Sequence, residues 1–349
     1  MEQTSAGESA RPLLSFIVVA YNQERFIREA IEGAFAQTYS PLEIILSDDC
    51  SEDMTFEIMQ DMMADYDGPH QIVLNRNVCN LGIVGHVNRV IALAKGALMV
   101  MAAGDDISFS ERTEKLFELW DSEGRPMAVL HSAAFLFVEN NGTFTKESII
   151  SLNPGNDLFD IITRWKWPLG ASEAWSASLV RFFGPLRSDV DHEDVPFLYR
   201  GVLAQHVLFH PDPLLCWRQG YGIISGLDNR RLKSLRGIHE RLAKERRRFR
   251  GFSWQLRDDL KKLENSGGSQ IFRLVEYYSA RSEYAWACMN AGIVMWGRCG
   301  CVYFLRSVRI SCFSFRDLIR WPCRGVFLRL LRILDMLGGN GEIDKPMTR

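Results

Sequence analysis

The first apolar run of the chain is Leu14-Ser15-Phe16-Ile17-Val18-Val19-Ala20, and it stops at the polar loop Tyr21-Asn22-Gln23-Glu24. A run this short and this rich in branched side chains is typical of a strand buried in a parallel sheet. Apolar residues then recur at helical spacing from Phe26 to Phe35, so a helix is expected next. The opening therefore predicts a strand, a polar loop and a helix, which is the first half of a βαβ unit.

The same alternation continues along the chain. Strands are predicted at Leu42–Ser47, Ile72–Leu74 and Ala97–Met101, with a helix from about Val84 to Ala94. Strands that alternate with helices indicate right-handed crossovers and a parallel α/β sheet, which binds ligands beyond the carboxyl ends of its strands. The glycine patterns GxGxxG and GxxxxGK[ST] are missing, so a Rossmann or P-loop phosphate cradle is excluded.

Beyond residue 126 the pattern is mixed, with strands, a hairpin and a helix in place of regular alternation. The predicted elements are a strand at Met127–Ser132, a hairpin at Phe135–Thr145 folded about Asn140-Asn141-Gly142, a helix from Val195 or Pro196, and two short strands, His206–His210 and Leu214–Trp217, on either side of Pro211-Asp212-Pro213. These elements are expected to complete the domain that the parallel sheet begins.

Three acidic pairs stand at boundaries between these elements: Asp48-Asp49, Asp105-Asp106 and Glu193-Asp194. Adjacent carboxylates repel each other unless a cation or hydrogen-bond donors compensate. Mg²⁺ and Mn²⁺ prefer such oxygen ligands and often keep substrate phosphates as further ligands. One pair alone also fits an ordinary turn or cap, and Asp48 and Asp49 would then cap a helix that starts near Glu52. The ordered set of three indicates a metal and phosphate site.

The series of motifs resembles the family 2 inverting glycosyltransferases of the GT-A fold. The resemblance covers roughly residues 12–225 and rests on motifs in this order: Phe16 to Asn22, Ser47-Asp48-Asp49-Cys50-Ser51, Asn77 to Gly82, Gly104-Asp105-Asp106, Arg112 to Leu116, Phe183-Gly184-Pro185-Leu186, Glu193-Asp194 and Trp217-Arg218-Gln219-Gly220. It implies a Rossmann-like α/β sandwich that binds a nucleotide sugar, with a helical basic C-terminal extension. It also implies transfer from a nucleoside diphosphate sugar, with uridine favoured, to a glycan or lipid-linked saccharide, as in surface polysaccharide assembly.

The resemblance assigns the donor side of the site to residues that follow the first, second and fourth strands. Nucleoside contacts are assigned to Ala20, Tyr21, Asn22 and Glu24, base recognition to Asp49 with Asp48 beside it, the ribose to Asp105, and the phosphates or the acceptor to Arg218.

The resemblance assigns the chemistry to Asp106 and Asp194. Asp106 would bind Mn²⁺ or Mg²⁺, which stabilises the departing diphosphate as a Lewis acid. Asp194, with Glu193 beside it, would take the proton of the acceptor hydroxyl as general base. Ala103 stands where the family often has the first acid of Asp-x-Asp-Asp, so Asp106 is expected to be the single protein carboxylate on the metal.

Other side chains have structural explanations beside the functional ones. Arg200 is expected on a helix surface without a role, and His192 as a bystander near the base. Trp165, Trp167 and Trp175 fit stacking on a sugar acceptor or packing in the core.

Charge divides the chain unevenly. Residues 1–229 hold 16 Lys or Arg against 32 Asp or Glu, whereas residues 230–349 hold 25 against 11. We expect a flexible tail at 1–11, a GT-A domain at 12–228 and a basic helical region at 229–349. Basic and aromatic residues interleaved in that region fit helices on an anionic membrane surface and helices packed on the catalytic domain equally well. No nucleic-acid motif accompanies the charge, so no nucleic-acid partner is expected.

The remaining features bound the protein class. With 47% hydrophobic and 24% charged residues the composition is that of a globular protein. The eight cysteines form no CxxC pair, so reduced thiols are expected. No signal peptide is recognised, and the apolar stretch Tyr284 to Gly297 is shorter than the ~20 residues that span a bilayer. We therefore expect a cytoplasmic protein that can lie on the inner face of the plasma membrane.

Two rival functions are weighed against glycosyl transfer. A sugar nucleotidyltransferase would need a glycine-rich loop and a lysine after the first strand, and both are missing. A non-catalytic sugar-nucleotide-binding or membrane scaffold protein would not need Asp106 and Asp194.

Overall fold

The computed structural model of the protein describes residues 11–140, 143–156, 168–219, 247, 250–252 and 254–263. Its elements, in chain order, are β1 Leu14–Ala20, α1 Ile27–Phe35, β2 Leu42–Asp48, α2 Thr55–Ala64, β3 Gln71–Arg76, α3 Gly82–Leu93, β4 Leu98–Ala103, β5 Ile107–Ser108, α4 Arg112–Ser122, β6 Val129–Asn140, β7 Thr143–Ile150, the 3-10 turn Gly170–Ser172, β8 Ala174–Ser176, α5 Ala177–Phe183, α6 Asp194–Leu203 and β9 Val207–Arg218. All the strands belong to one mixed sheet.

The parallel half of the sheet contains β3, β2, β1 and β4, in that spatial order. Phe16 of β1 lies in one apolar cluster with Ile31 of α1, and Ile17 lies in a second cluster with Val87 of α3. Helices thus cover both faces, which is why β1 is apolar at nearly every position. The prediction of a parallel α/β sheet that begins at Leu14 is confirmed.

The second half of the sheet is mixed. β8 runs antiparallel to β4 and to β6, and β6 pairs in parallel with β9. Because β8 is antiparallel to β4, the residues just before β8 lie beside the carboxyl end of β4, where the backbone N–H of Met101 donates to the carbonyl of Glu173 at 3.0 Å. The chain segment before β8 therefore reaches the edge of the sheet at which β1, β2 and β4 end.

Several element boundaries differ from the predicted ones. The strand predicted at Met127–Ser132 and the first arm of the predicted hairpin form one long strand, β6. The two short strands predicted around Pro211-Asp212-Pro213 are likewise one strand, β9, because its pairing with β6 shifts register after Ser132 and again before Phe135. α2 begins at Thr55 rather than near Glu52, and it is Asp53, not Asp48 or Asp49, whose side chain accepts from the Thr55 N–H, at 3.0 Å.

The prediction that Arg200 lies on a helix surface is wrong. Its side chain is fully buried and forms a two-pronged ion pair with Asp259, at 2.9 Å from Nε to Oδ2 and 3.1 Å from the second nitrogen to Oδ1. Helical residues 254–261 carry Asp259, and Leu256 lies in the same apolar cluster as Val195 and Phe197 of α6. The described part of the basic C-terminal region therefore packs on the domain before it.

Some predictions fall on residues outside the described ranges. They concern residues 1–10, the turn at Asn141-Gly142, Trp165 and Trp167, the stretch Tyr284 to Gly297, and most of 229–349. Arg11, the last residue of the expected tail, forms an ion pair with Glu114 and lies 4.2 Å over the ring of Tyr39. Among the described residues, none of the helices combines the length and the hydropathy needed to cross a bilayer.

Candidate active site

The strand ends bring two of the three acidic pairs together around Ala20. The Asp49 N–H donates to the Ala20 carbonyl at 2.9 Å, and the Gly104 N–H donates to the Val19 carbonyl at 2.9 Å. β1 lies between β2 and β4, so the loops that follow β2 and β4 leave the sheet on either side of β1. Asp48-Asp49 and Asp105-Asp106 therefore flank the end of the same strand, as the parallel topology predicts.

The Asp48-Asp49 pair is held by hydrogen bonds from its own edge of the sheet. Asp48 is fully buried and accepts from the backbone and hydroxyl of Ser51. Asp49 accepts at Oδ1 from the Asn77 amide at 2.8 Å and from the Leu81 backbone at 2.9 Å. Its other oxygen, Oδ2, accepts no hydrogen bond from the described residues. Asp49 can thus offer one fixed acceptor to a ligand, which is what recognition of a base N–H requires.

The loop after β1 is tied to the loop before α2. Asn22 adopts a left-handed backbone with φ 52°, and its side-chain oxygen accepts from the Glu52 N–H at 2.9 Å. Glu24 accepts from the Met54 N–H at 3.0 Å and donates its own N–H to Asp53 at 3.0 Å. Tyr21 is 40% exposed and is the loop's aromatic surface. Asn22 and Glu24 thus shape the loop, while Tyr21 remains open to a ligand.

Asp105 and Asp106 are both 4% exposed, although they are adjacent acids. Burial, with the charge of Asp105 second, raises the pKa of Asp106 well above its usual range, and burial also raises the pKa of Asp105. The Gln23 amide donates to Asp105 at 3.0 Å. Gly104 makes this contact sterically feasible, since a Cβ there would lie 2.4 Å from the side-chain oxygen of Gln23 and 2.8 Å from the Cβ of Ala20.

Two buried arginines, Arg218 and Arg112, bring positive charge close to the Asp105-Asp106 pair. The backbone N–H of Arg218 donates to Asp106 at 2.8 Å, and its guanidinium donates to the Asp105 carbonyl at 2.6 Å and to Glu29 at 2.8 Å. Arg112 is fully buried, and burial lowers its pKa to about 10 against the opposing charge of Asp106. The resemblance assigns Arg218 to the phosphates or the acceptor; in the structure its side chain is 1% exposed and donates to the Asp105 carbonyl and to Glu29 of α1.

The third acidic pair stands at the start of α6. Asp194 packs against Gly170, where a Cβ would lie 3.0 Å from the Asp194 Cβ and 3.1 Å from its Oδ2. Burial, followed by the charge of Asp194, raises the pKa of Glu193 to about 8. His192 contacts Asp191 at 3.8 Å, and its ring lies 6.4 Å from that of Phe252.

The Asp194 side of the site is linked to the Asp106 side through one guanidinium, that of Arg112. Arg112 donates to the Met101 carbonyl of β4 at 2.8 Å and to the Ala171 carbonyl at 2.9 Å. Ala171 follows Gly170, which packs on Asp194. The acidic pairs after β2, after β4 and before α6 thus belong to one continuous set of contacts along a single sheet edge.

Sequence reasoning missed Glu173, Gly170 and the guanidinium of Arg112. Glu173 is an acid in an apolar context, 1% exposed, and burial together with the charges of Asp194 and Glu193 raises its pKa well above its usual range. A charged residue placed directly before the buried strand Ala174-Trp175-Ser176 was the available signal. Trp175 itself is 1% exposed and stacks on Phe197 with ring centroids 3.8 Å apart, so it packs in the core.

The carboxyl groups of Asp105 and Asp106 fit a divalent cation that takes phosphates as its other ligands. Within the described ranges, no group of three His, Cys, Asp or Glu side chains is arranged to hold a metal by itself. Asp105 and Asp106 nevertheless bring two carboxyl groups into a buried position where a positive charge would relieve their repulsion. Mg²⁺ and Mn²⁺ are commonly bound by one or two carboxylates together with substrate phosphates.

Comparison with known proteins agrees with this geometry. Residues 15–180 match the model of glycosyl transferase family 2. The Escherichia coli UDP-Glc:alpha-D-GlcNAc-diphosphoundecaprenol beta-1,3-glucosyltransferase WfaP is 34% identical over 115 residues, which are 30% of this chain and 43% of that protein. The chain spans less than half the length of the curated relatives it matches.

Two solved structures have the same fold. S. aureus TarS 1-349 in complex with UDP superposes with a TM-score of 0.53 at 15% identity, covering 77% of this chain and 71% of that one. The mannosyltransferase PcManGT of Pyrobaculum calidifontis, in complex with GDP-Man and Mn²⁺, gives a TM-score of 0.52 at 14% identity, covering 95% and 89%. Residues 15–180 of this chain thus match the family model of glycosyl transferase family 2, and the chain has the GT-A fold.

Proposed function

We propose that this protein transfers a sugar, with inversion, from a nucleoside diphosphate sugar to a hydroxyl group of a glycan or lipid-linked saccharide. The observation that carries the proposal is the continuous contact path from Asp49 through Ala20 and Gly104 to Asp105-Asp106, and on through Arg112 and Gly170 to Asp194. A path along one sheet edge lets a single donor molecule and an acceptor meet the groups that the reaction needs.

The donor side favours a uridine nucleotide. Asp49 offers one fixed carboxylate oxygen to an N–H of the base, and Tyr21 offers an exposed ring beside it. UDP is the ligand of the S. aureus neighbour and UDP-Glc the donor in the name of the E. coli relative, whereas the P. calidifontis neighbour holds GDP-Man. Asp105 would then face the ribose and Asp106 the diphosphate.

Asp106 would hold Mn²⁺ or Mg²⁺, with Asp105 beside it. When bound, the cation supplies Lewis-acid stabilisation of the negative charge on the departing diphosphate. The chain's own contribution is to hold Asp106 in place through the Arg218 N–H at 2.8 Å and to bury it away from water.

Asp194 would remove the proton from the acceptor hydroxyl as that oxygen attacks the anomeric carbon. An alcohol is a weak nucleophile, and a positioned carboxylate contributes roughly 10²–10⁴-fold to such a step. Attack from the face opposite the diphosphate inverts the anomeric centre. Asp194 is suited to this role because Gly170 fixes its position and its N-terminal place on α6 leaves the carboxylate at the sheet edge.

The acceptor side rests on the relative and on charge. The E. coli relative acts on an undecaprenol-linked sugar, which is a lipid-linked saccharide. The excess of 25 Lys or Arg over 11 Asp or Glu in residues 230–349 would place this enzyme on the inner, anionic face of the plasma membrane, on its cytoplasmic side.

The first experiment is a thermal-shift screen of UDP, GDP and dTDP sugars with Mn²⁺ or Mg²⁺, followed by transfer assays with the donor that stabilises most. Asp194→Asn should lower transfer by about 10²–10⁴-fold and leave the donor-induced shift intact. Asp61→Asn, which removes an exposed carboxylate from α2, is the matched control and should keep full activity.

Three outcomes would count against the proposal. Transfer that survives Asp194→Asn would exclude Asp194 as the base. A donor-induced shift without any transfer to saccharide acceptors would favour a non-catalytic nucleotide-sugar-binding protein. Release of pyrophosphate from a nucleoside triphosphate and a sugar phosphate would indicate a nucleotidyltransferase.

A further inference from the structure

The turn Gly170–Ser172, with Glu173 after it, contacts both sides of the active site. Gly170 packs against Asp194, the Ala171 carbonyl accepts from Arg112 at 2.9 Å, and the Glu173 carbonyl accepts from Met101 of β4 at 3.0 Å. The turn is closed by the Glu173 N–H, which donates to the Gly170 carbonyl at 3.0 Å. A displacement of Glu173 would therefore be passed to the residue that touches Asp194.

The side chain of Glu173 faces His131 in a buried, incompletely paired arrangement. Oε2 of Glu173 accepts from the Trp175 indole at 2.8 Å, while Oε1 lies 3.8 Å from Nε2 of His131. Among the described residues, neither Oε1 nor that Nε2 has a hydrogen-bond partner, and the two side chains are 1% and 0% exposed. Two buried polar atoms without other partners thus face each other.

The hydrogen bonds of His131 leave Nε2 as an acceptor. Its ring forms a hydrogen bond with the Leu169 carbonyl, and Nδ1 lies 3.5 Å from the Ser172 hydroxyl. A nitrogen that donates to a carbonyl carries the proton, so the other ring nitrogen has a lone pair. Burial lowers the pKa of His131 to about 3, which keeps the imidazole neutral.

A carboxylate at Glu173 would set a second acceptor against this lone pair. A carboxylic acid would instead donate from Oε1 to Nε2 and still accept the Trp175 N–H at Oε2. The 3.8 Å separation is about 1 Å longer than a hydrogen bond, so the two side chains of the protonated pair would move together by that distance to form it. The protonated form is therefore the one that satisfies every buried polar atom of the pair.

We propose that Glu173 is a positioning residue for the catalytic carboxylate: as a neutral acid bonded to His131, it fixes the turn on which Asp194 rests. The inference rests on the proposed role of Asp194 and adds a residue to it. The charged groups around Glu173 are Glu193 and Asp194 on α6 and Arg112 beneath the turn. A neutral acid at this position adds no negative charge to the Glu193-Asp194 pair, so the negative charge stays where the proton is to be accepted.

The kinetic test uses Glu173→Gln and Glu173→Ala in the full chain. Gln can donate to His131 and accept from Trp175, as the acid does, so kcat should stay within about threefold of wild type. Ala removes both bonds and frees the turn, and kcat should fall by about 10–100-fold with the donor Kd unchanged, because small misplacements of a catalytic group are costly. Glu118→Gln, an exposed acid on α4, is the matched control.

A stability test reads the charge state without any activity. A buried carboxyl whose pKa is raised in the folded protein costs stability as pH rises above its unfolded value, and Gln does not titrate. The thermal midpoint of Glu173→Gln should equal that of wild type near pH 5 and exceed it by a few degrees at pH 8. Glu173→Ala should lie below both, since it leaves the Trp175 and His131 nitrogens unpaired.

The two tests separate this inference from the proposed function. An inactive wild-type chain would remove the proposed function, yet the midpoints would still decide whether Glu173 is a neutral acid. Loss of kcat in Glu173→Gln equal to that in Glu173→Ala would overturn the inference, as would full kcat in Glu173→Ala. A parallel loss of donor binding would show a general structural role and would overturn it too.

Discussion

The proposed nucleotide edge of the site, around Asp48 and Asp49, differs from the proposed base edge, around Glu173 and Glu193, in how carboxyl groups are held. Asp48 and Asp49 are buried but accept hydrogen bonds from Ser51, Asn77 and Leu81. At the base edge, burial and mutual repulsion dominate, and they raise the pKa values of Glu173 and Glu193. The carboxyl groups of the first edge are thus fixed by hydrogen-bond donors, and those of the second edge have raised pKa values.

The contrast matches the two tasks of the proposed sugar transfer. Recognition of a base needs acceptors fixed in advance, so that binding does not have to order them. Proton removal from a hydroxyl, the role proposed for Asp194, needs a carboxylate that is held beside the acceptor. Burial also raises the pKa values of Asp105 and Asp106, at the place where a cation is expected.

Breaking the scaffold of the base edge should have the largest effect. Arg200→Ala leaves Asp259 buried without its partner, and the free energy of unfolding should fall by about 3–5 kcal/mol. Arg187→Ala removes ion pairs to Asp189 and Asp258 from a side chain that is 37% exposed, and should cost no more than about 1 kcal/mol. Urea denaturation of both variants measures the difference. Equal losses would mean that burial does not distinguish the two arginines.

The acidic loop between the two edges should respond next. Asp106→Asn removes the expected metal ligand, so kcat/KM should fall by about 10²–10³-fold, by analogy with loss of one group that stabilises developing charge. Rate measurements over a series of Mn²⁺ concentrations should show that the variant has lost its metal response. Asp48→Asn should mainly weaken donor binding, because its contacts lie in the Ser51 turn. An Asp106→Asn enzyme with a full metal response would refute the assignment.

Stability measurements at different pH values test the difference in charge between the two edges. The pKa of Glu193 is raised to about 8, so the folded protein binds this proton more tightly than the unfolded chain does. Stability therefore falls as pH rises from the unfolded value of about 4.5 toward 8. Glu193→Gln removes the loss and should be more stable than wild type by about 1–3 kcal/mol at pH 8, and equal to it near pH 4. A gain that is independent of pH would contradict this account.

The smallest effect is expected at Gly104, the glycine that precedes the Asp105-Asp106 pair. In Gly104→Ala the new Cβ lies 2.4 Å from the Gln23 side-chain oxygen, so Gln23 must turn away from Asp105. Donor affinity, measured by calorimetry, should weaken by roughly tenfold, which is at the low end of the ~1–3 kcal/mol that overpacking costs. A variant with wild-type affinity would show that the Gln23–Asp105 contact does not support the donor site.

The parallel half of the fold follows from local pattern, and the second half does not. β1, β2 and β4 are apolar runs that end at polar loops, and each was predicted within two residues of its observed bounds. The sequence predicts two strands in place of β9, because a proline usually ends a strand. In the structure, a register shift against β6 accommodates Pro211 and Pro213 within one strand. That shift depends on a pairing with residues about 80 positions earlier, which no local window contains.

The same limit applies to the site. Asp48-Asp49 and Asp105-Asp106 are local doublets at strand ends, and the topology alone is enough to bring them together. Glu173 and Arg200 are single charged residues. Their partners in the fold are His131 and Asp259, which are 42 and 59 positions away along the chain. Whether a single charged residue is buried depends on tertiary contacts. A sequence alone therefore predicts that such a residue is exposed, and this prediction is wrong for Arg200.

The Arg200–Asp259 pair has a consequence for the exchange of parts between relatives. A chimera that joins this chain's first 228 residues to a foreign C-terminal segment would leave the buried guanidinium of Arg200 without an ion-pair partner unless the graft supplied an acid at the matching position. Chimeras between relatives should therefore fold when they keep both Arg200 and Asp259. Chimeras that keep only one of the two residues should be insoluble.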